Sequence, residues 1–89
     1  MFSLPTISHY GRPENTLKLS FSGVCDLYFS YKTLVAFQFE GKPLVVRQND
    51  WKQTTGKHLN LIDDGAKKFR VSGEEFQRLF NIAMCGANL

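Results

Sequence analysis

The chain has 89 residues, which is enough for one domain and too few for two independent hydrophobic cores. Hydrophobic residues make up 43% of it and aromatic residues 13%, and this composition excludes a largely disordered protein. The net charge is only +3, and no apolar run approaches the roughly 18 residues that a membrane span needs. The first residues lack the basic and apolar parts of a secretory signal, so we expect a cytoplasmic protein.

The first half of the chain predicts an antiparallel sheet. Residues 1–16 contain two prolines and a glycine and show no periodicity, so we interpret them as an irregular N-terminal arm. The stretches that follow have the alternation or β-type composition of strands: residues 17–21, 24–31, 34–39 and 44–48. Gly41 and Pro43 supply turn residues before the last of them. Residues 17–48 therefore predict a three- to four-stranded antiparallel β-meander.

The central predicted strand, residues 34–39, is apolar on both sides. Because side chains alternate between the two faces of a strand, Val35, Phe37 and Phe39 are expected on one face. The opposite face would then carry Leu34, Ala36 and Gln38. A sheet with an aromatic face needs a second layer of structure to cover it.

The last clear element is a helix with a well-marked start. Ser72 is expected to be its N-cap, Glu75 to complete a capping box, and Val71 to pack against Phe76 as a hydrophobic staple. Gly86 is expected to end it. Its apolar stripe has the spacing i, i+3, i+4, i+7 and consists of Phe76, Leu79, Phe80 and Ala83. The sequence predicts a single α+β domain in which this helix, residues 72–85, covers one face of the meander.

A polar segment and loop, residues 49–71, joins the predicted sheet to the helix. From Lys42 to Arg70, seven basic residues outnumber three acidic ones, a local net charge of +4. Such a basic middle suits an anionic partner, although a solvated charged face explains it equally well. Thr54 or Thr55 is expected to cap a short helix here. Leu59 and Ile62 would be its inward residues.

This segment contains the candidate binding residues. Free N–H groups at the start of the short helix, two hydroxyls, Lys57 and His58 could together bind a phosphate or carboxylate, or they could merely cap the helix. Trp51 lies near Arg47 and Lys52 in sequence, so it could stack a nucleic-acid base. The alternative is that Trp51 fills the hydrophobic core.

No arrangement of residues predicts catalysis or a bound metal. His9, His58, Cys25 and Cys85 lack zinc-type local spacing, and neither cysteine has an identifiable base. We therefore expect a non-enzymatic protein without a cofactor, and we interpret both cysteines as buried free thiols.

Residues 29–37, 44–46 and 51–60 resemble a family of small uncharacterised proteins common in phages and prophages. The family pattern is Ser-Tyr-x-Thr, a β-hairpin, and an aromatic residue followed by Thr-Thr-x-Lys/Arg-His. The resemblance covers residues 29–62 and implies no activity, because the family has no known function. This sequence differs from many members in having Gly56 within the motif and a longer C-terminal helix. The matching positions are Tyr31, Thr33, Thr54, Thr55, Lys57 and His58.

The leading hypothesis is a phage-type accessory protein that binds nucleic acid or another anionic partner through residues 47–58. One alternative is a protein-directed inhibitor of host machinery, of the anti-defence or anti-CRISPR type. Another is a virion or homo-oligomeric structural protein that associates through exposed strand edges. If the protein is phage-encoded, it would act in the host cytoplasm. The candidate binding residues are Tyr31, Thr33, Arg47, Trp51, Lys52, Thr54, Thr55, Lys57 and His58.

Overall fold

The computed structural model describes residues 4–51 and 53–87. Its elements in chain order are β1 (Thr6–Ser8), β2 (Thr16–Phe21), β3 (Cys25–Ser30), β4 (Thr33–Phe39), β5 (Val45–Val46), α1 (Gln53–Asp63), a 3-10 turn (Lys67–Phe69) and α2 (Gly73–Ala87). The strands form one sheet in the order β1-β2-β3-β4-β5, and every neighbouring pair is antiparallel. The predicted α+β fold with a β-meander and a C-terminal helix is confirmed. None of the helices in the described ranges is both long and apolar enough to cross a membrane.

Strand β1 lies in the segment that the sequence predicts to be an irregular arm. Thr6, Ile7 and Ser8 pair with Ser20, Leu19 and Lys18 of β2, and all three β1 residues are exposed. A strand of three residues is too short to show a two-residue period, so sequence alternation could not find it. The prediction of an arm is wrong for these residues, and the sheet has five strands; Met1 to Ser3 lie outside the described residues.

A β-bulge in β4 changes which residues share a face. Tyr28 of β3 is opposite Ala36, whereas the next residue, Phe29, is opposite Leu34, so Val35 is the extra residue. Beyond the bulge the alternation shifts by one position. Leu34 therefore packs with the Phe37 cluster, and Val35 packs with Ala36. The prediction of Val35 on the face of Phe37 and Phe39 is wrong for this reason.

The two helices lie on opposite faces of the sheet and give the domain two cores. On one face, α2 covers a cluster built on Cys25, Phe37, Phe39 and Phe76. On the other face, α1 covers a cluster built on Val35, Ala36, Val46 and Leu59. The sequence predicts a cover on one face only. The central strand β4 is apolar on both sides because it lies between two helices.

Helix α2 begins as the sequence predicts. The Ser72 hydroxyl accepts a hydrogen bond from the backbone N–H of Glu75 at 3.2 Å, so Ser72 is the N-cap. The Glu75 carboxylate accepts from the guanidinium of Arg78 at 2.7 Å, and this contact replaces the return half of a capping box. Val71 packs against the cluster that contains Phe76. The helix continues through Gly86 to Ala87, so Gly86 does not end it.

Helix α1 is the short helix expected in the polar segment, and it starts earlier than predicted. Its first residue is Gln53, which places Thr54 and Thr55 in the first turn instead of at the cap. The residue before Gln53 is Lys52, which lies outside the described residues. Leu59 is fully buried and Ile62 packs against the same cluster, so the predicted inward face is confirmed.

Arg70 joins the end of α1 to the segment that leads into α2. Its Nε donates to Asp63 Oδ2 at 2.6 Å, and its Nη2 donates to Asp63 Oδ1 at 2.8 Å and to Asn60 Oδ1 at 3.0 Å. The side chains of Arg70 and Asp63 are both buried. Next to Arg70, Val71 forms a parallel bridge to Arg47 beyond β5. The chain between the helices is thus fixed to α1 on one side and to the sheet on the other.

The Arg70–Asp63 ion pair leads to a prediction about stability. Asp63→Asn removes the carboxylate and leaves the Arg70 charge buried without its partner, so the free energy of unfolding should fall by about 3 kcal/mol. Asp64→Asn is the matched control, because Asp64 is exposed and has the same chemistry. Urea denaturation of both variants at neutral pH measures the difference, and equal stability of the two would contradict the role of the pair.

The same pair sets a pH dependence. The hydrogen bonds that Asp63 accepts from Arg70 hold the pKa of Asp63 below its ordinary value. A depressed carboxyl pKa stabilises the fold above the unfolded value of about 4, and this stabilisation is lost as the pH falls through the folded pKa. The stability advantage of the wild type over Asp63→Asn should therefore shrink as the pH falls below about 4, which urea denaturation at a series of pH values measures.

Candidate functional site

Two parts of the predicted motif meet in a buried polar contact between β3 and α1. Ser30 Oγ lies 2.6 Å from His58 Nδ1 and 3.4 Å from Thr55 Oγ1. Ser30 is 2% exposed and His58 is 6% exposed. We call Ser30, Thr55 and His58 the polar joint. Because buried polar groups are stable only when hydrogen-bonded, each member of the joint depends on the others.

Aromatic rings enclose the polar joint. The ring of Tyr31 lies 5.7 Å from that of His58, and the ring of Tyr10 approaches His58 edge-on at 6.3 Å. The Tyr10 hydroxyl donates to the carbonyl of Phe29 at 2.7 Å, and burial raises the Tyr10 pKa to about 12. Tyr31 has a φ of 56°, a left-handed conformation that is unusual for a bulky residue. The β3–β4 turn thus holds Tyr31 beside the joint.

Burial also determines the charge of His58. The protein interior disfavours the imidazolium, so the pKa of His58 is lowered by desolvation. The neutral ring is the form compatible with this site at neutral pH. Since both Ser30 and His58 are buried, their contact holds α1 against the β3–β4 hairpin, and the Ser30 oxygen is accessible to a substrate only if helix and hairpin separate.

The opposite side of α1 lines a polar cleft. One wall is formed by residues of α1 with the spacing i, i+3, i+4, i+7, namely Gln53, Gly56, Lys57 and Asn60. The remaining lining residues are Gln48, Asn49, Lys67 and Arg70, and the cleft has a volume of about 540 Å³. We call this the amide cleft, because four of the eight described lining residues carry carboxamides. The same helix therefore packs with one face and lines a cavity with another.

The amide cleft is electropositive. Lys57 and Lys67 are exposed, and Arg70 adds a third cation that is paired with Asp63. None of the eight lining residues is acidic. Sequence reasoning found Lys57 and missed the other lining side chains. The signal available for two of the missed residues, Gln53 and Asn60, was their polar i, i+4, i+7 spacing with Lys57, which runs alongside the apolar stripe of the same helix.

Gly56 shapes the wall of the amide cleft. A Cβ atom at this position would lie 2.9 Å from Asn49 Nδ2, closer than real contacts allow. Without a side chain at position 56, Asn49 can approach the helix. The structural effect of Gly56 is this close approach.

Trp51 lies between two lining residues in the chain and outside both cores. Its ring is 4.7 Å from the guanidinium carbon of Arg47, and it is 40% exposed. Its backbone N–H donates to Asn49 Oδ1 at 3.0 Å. Arg47 in turn pairs with Asp50 at 3.5 Å. The alternative in which Trp51 fills the core is wrong, and the ring is a surface aromatic held in place by Arg47.

The structure thus divides the predicted site residues into groups. Tyr31, Thr55 and His58 belong to the polar joint and its surroundings, Arg47 and Trp51 form the stacked pair, and Lys57 lines the amide cleft. Thr33 and Thr54 are exposed outside these groups. Lys52 lies outside the described residues. The expected gathering of two hydroxyls, Lys57 and His58 at the helix start does not occur, because Thr55 and His58 point to the hairpin.

The cysteines and histidines do not come together in the part of the chain that the structure describes. Within residues 4–51 and 53–87, no group of three or more His, Cys, Asp or Glu side chains is arranged to hold a metal ion. Both cysteines are free, as predicted; Cys25 is buried, and burial raises the pKa of its thiol. Cys85 is exposed on α2, so the prediction that both thiols are buried is wrong for Cys85.

Fold and site together define a small α+β domain, a five-stranded meander between two helices with a basic cleft beside one of them. Residues 7–78 match a family of unknown function, DUF8033, and the chain belongs to this family. The match includes the polar joint, the amide cleft and the first part of α2. Neither the curated proteins nor the solved structures contain a match to the chain.

The polar joint leads to a second prediction about stability. Ser30→Ala removes one partner from a buried hydrogen bond and should lower the free energy of unfolding by about 1–3 kcal/mol. His58→Gln should act similarly. The double variant should lose less free energy of unfolding than the two single variants lose together, because the two residues are in contact. Denaturant unfolding of the three variants measures the coupling, and strict additivity would show that the contact contributes nothing.

The pH dependence of the joint follows from its buried imidazole. Because the folded pKa of His58 is lowered, the unfolded chain binds more protons than the folded one below about pH 6.5. The contribution of the joint to stability should therefore be fully present above that pH and decline as the pH falls below it. His58→Gln should abolish this decline, and His9→Gln, which removes the other histidine, should retain it. A decline that persists in His58→Gln would assign it to another group.

Proposed function

We propose that this protein is a small non-enzymatic accessory protein of phage type that binds nucleic acid through the amide cleft and the neighbouring Arg47–Trp51 pair. One observation carries the proposal: a cleft lined by cations and amides without a carboxylate lies beside a half-exposed tryptophan. Cations and a stacking surface are the two features by which proteins bind single-stranded nucleic acid.

The distribution of ion pairs supports an anionic ligand. Arg70 is neutralised by Asp63, and Arg47 is paired with Asp50. Lys57 and Lys67 are exposed, and neither belongs to an ion pair within the described residues. Their positive charges on the cleft are therefore balanced by no carboxylate there. A phosphate backbone would neutralise them and release its own counterions, which is the main source of nucleic-acid affinity.

The Arg47–Trp51 pair supports stacking. Arg47 covers part of the indole and fixes its orientation, so little side-chain entropy remains to be lost when a base stacks on the ring. Stacking of a base on an aromatic ring contributes about 1–3 kcal/mol. Trp51 lies in the chain between Asn49 and Gln53, which both line the cleft, and its N–H donates to the Asn49 side chain. A base stacked on Trp51 would therefore lie next to the cleft.

The phage-type role rests on the motif resemblance over residues 29–62. Much of that motif consists of the polar joint and of Tyr31 beside it, and these residues position α1. Lys57 is the motif residue that reaches the cleft. In this proposal the motif builds the helix that presents the binding surface, and the protein would act in the cytoplasm of the host.

The proposal predicts a salt-dependent affinity that depends on two lysines. Lys57→Ala combined with Lys67→Ala should weaken binding to single-stranded oligonucleotides and reduce the slope of log Kd against log salt by about 1.4, because each phosphate contact contributes about 0.7. Trp51 fluorescence is the readout, since it is the only tryptophan. The control is Lys32→Ala with Lys42→Ala, which removes two exposed cations elsewhere and should leave the slope nearly unchanged.

Two results would contradict this proposal. The first is the absence of any saturable fluorescence change with single- or double-stranded oligonucleotides at low salt. The second is an equal loss of slope in the two double variants, since that would mean that net charge acts without a defined site.

A second candidate function, inhibition of a host protein, has support from the face of the sheet that α2 covers. An apolar groove of about 600 Å³ runs between α2 and strands β4 and β5. Phe37, Phe39 and Val45 form its sheet side, and Leu79 and Ile82 form its helix side. Ile82 is 58% exposed, which leaves an apolar surface of the kind found at protein interfaces.

Ile82→Asp distinguishes the two functions. It should abolish retention of a stoichiometric host protein in nuclease-treated lysate if the groove is an inhibitory surface, and it should leave oligonucleotide binding unchanged if the amide cleft is the functional site. Gln77→Ala, an exposed polar position on the same helix, is the control and should affect neither.

A further inference from the structure

We infer that the amide cleft takes an unstacked base of a single-stranded nucleic acid and that its carboxamides hydrogen-bond the edge of that base. This inference rests on the proposed nucleic-acid function and names the part of the ligand that enters the cleft. It comes from the chemistry of the lining side chains, from their hydrogen bonds and from the shape of the cleft.

The lining chemistry favours a base over a phosphate. Four of the eight lining residues are carboxamides, namely Gln48, Asn49, Gln53 and Asn60. Each carboxamide offers a C=O acceptor and an NH₂ donor, whereas a phosphate only accepts. The oxygens of Asn49 and Asn60 accept hydrogen bonds within the protein, which leaves those of Gln48 and Gln53 for a ligand. A site for phosphate alone would need donors and would gain nothing from these two acceptors. A base edge presents donors and acceptors side by side, and asparagine and glutamine are the side chains that pair with such edges in two places at once.

Several of these amides are available to a ligand. The side chains of Gln48 and Gln53 are exposed and make no hydrogen bond within residues 4–51 and 53–87. The amide of Asn60 is fixed differently. Its oxygen accepts from Arg70 Nη2 at 3.0 Å, so its nitrogen is the group left to donate to a ligand. The Arg70–Asp63 pair therefore orients one amide in advance, and the two glutamines can adapt to the base.

The shape of the cleft indicates a base that has left its stack. Proteins read base edges in duplex DNA by inserting a convex helix or ribbon into a groove. Here the amides line a concave surface, so the base must enter the protein. Single-stranded nucleic acids expose their bases in this way, and their sequence is read by hydrogen bonds to unstacked edges. The volume of about 540 Å³ is within the range of roughly 300–1,000 Å³ that holds small organic ligands, so the cleft has room for a base.

The surroundings of the cleft fit a strand that continues on both sides of the bound base. Lys57 projects from α1, and Lys67 belongs to the 3-10 turn, so the two ammonium groups come from different elements that border the cleft. Both can therefore attract the phosphates of a strand that crosses the cleft. Trp51 offers its ring to a neighbouring base. The arrangement predicts one base bound by its edge, an adjacent base bound by stacking, and a backbone held by charge.

The test compares strands that share a backbone and differ in their bases. Anisotropy of end-labelled strands measures the affinity for single-base homopolymers of one length and for an abasic strand of the same length. At least one homopolymer should bind roughly fivefold tighter than the others, the discrimination of a single good amide–base pair. Gln48→Ala with Gln53→Ala should remove this preference among bases, and the advantage over the abasic strand that comes from stacking on Trp51 should remain. Both positions are exposed, and Gln77→Ala on α2 is the matched control that should retain the preference.

The outcomes separate this inference from the function on which it rests. Equal affinity for abasic and base-containing strands would overturn the base site and leave nucleic-acid binding intact. No binding of any strand would overturn both. A mononucleotide that competes as strongly as a strand would show that the cleft takes a free nucleotide, which overturns the strand-binding part. Tighter binding of duplex than of single strands would also overturn the inference, because the base would then remain stacked.

Discussion

The contact between Ser30 and His58 is the interaction on which the candidate site depends. It joins the end of β3 to the second turn of α1 through two buried polar groups that satisfy each other. Leu59, the next residue, is fully buried against Val35 and Ala36. One side of α1 is thus fixed by a hydrogen bond and an apolar contact together. The residues that line the amide cleft are positioned by contacts made on the other side of the same helix.

The remaining walls of the cleft depend on different interactions. Arg70 draws the end of the connecting segment onto Asp63 and Asn60, while Val71 hydrogen-bonds to the sheet through its backbone. This places Lys67 near the cleft. On the sheet side, Gln48 is held by the hydrogen bond from its N–H to the Val71 carbonyl at 2.7 Å. The cleft is therefore a product of tertiary contacts between three segments.

The sequence predicts the fold better than it predicts the site, for physical reasons. Local patterns suffice for β2, β3 and the start of α2, where alternation or the Ser72 cap leaves a clear signal. The bulge at Val35 leaves no such signal, because here an apolar valine can pack against the helix on either face of the strand. The amide cleft is harder still, since Gln48, Lys67 and Arg70 lie on separate segments. Motif resemblance singled out His58 but did not indicate that it is buried.

Since α1 carries the polar joint on one face and the cleft on another, the two surfaces are thermodynamically linked. A ligand that binds only when the helix is docked would raise the free energy needed to open the joint, by an amount set by its concentration relative to Kd. Reciprocity requires that whatever loosens the joint also weakens the ligand. Protonation of His58 would loosen the joint from the buried side of the helix. Acid that opens the joint on one face would thus weaken any ligand held on the other face of the same helix of eleven residues.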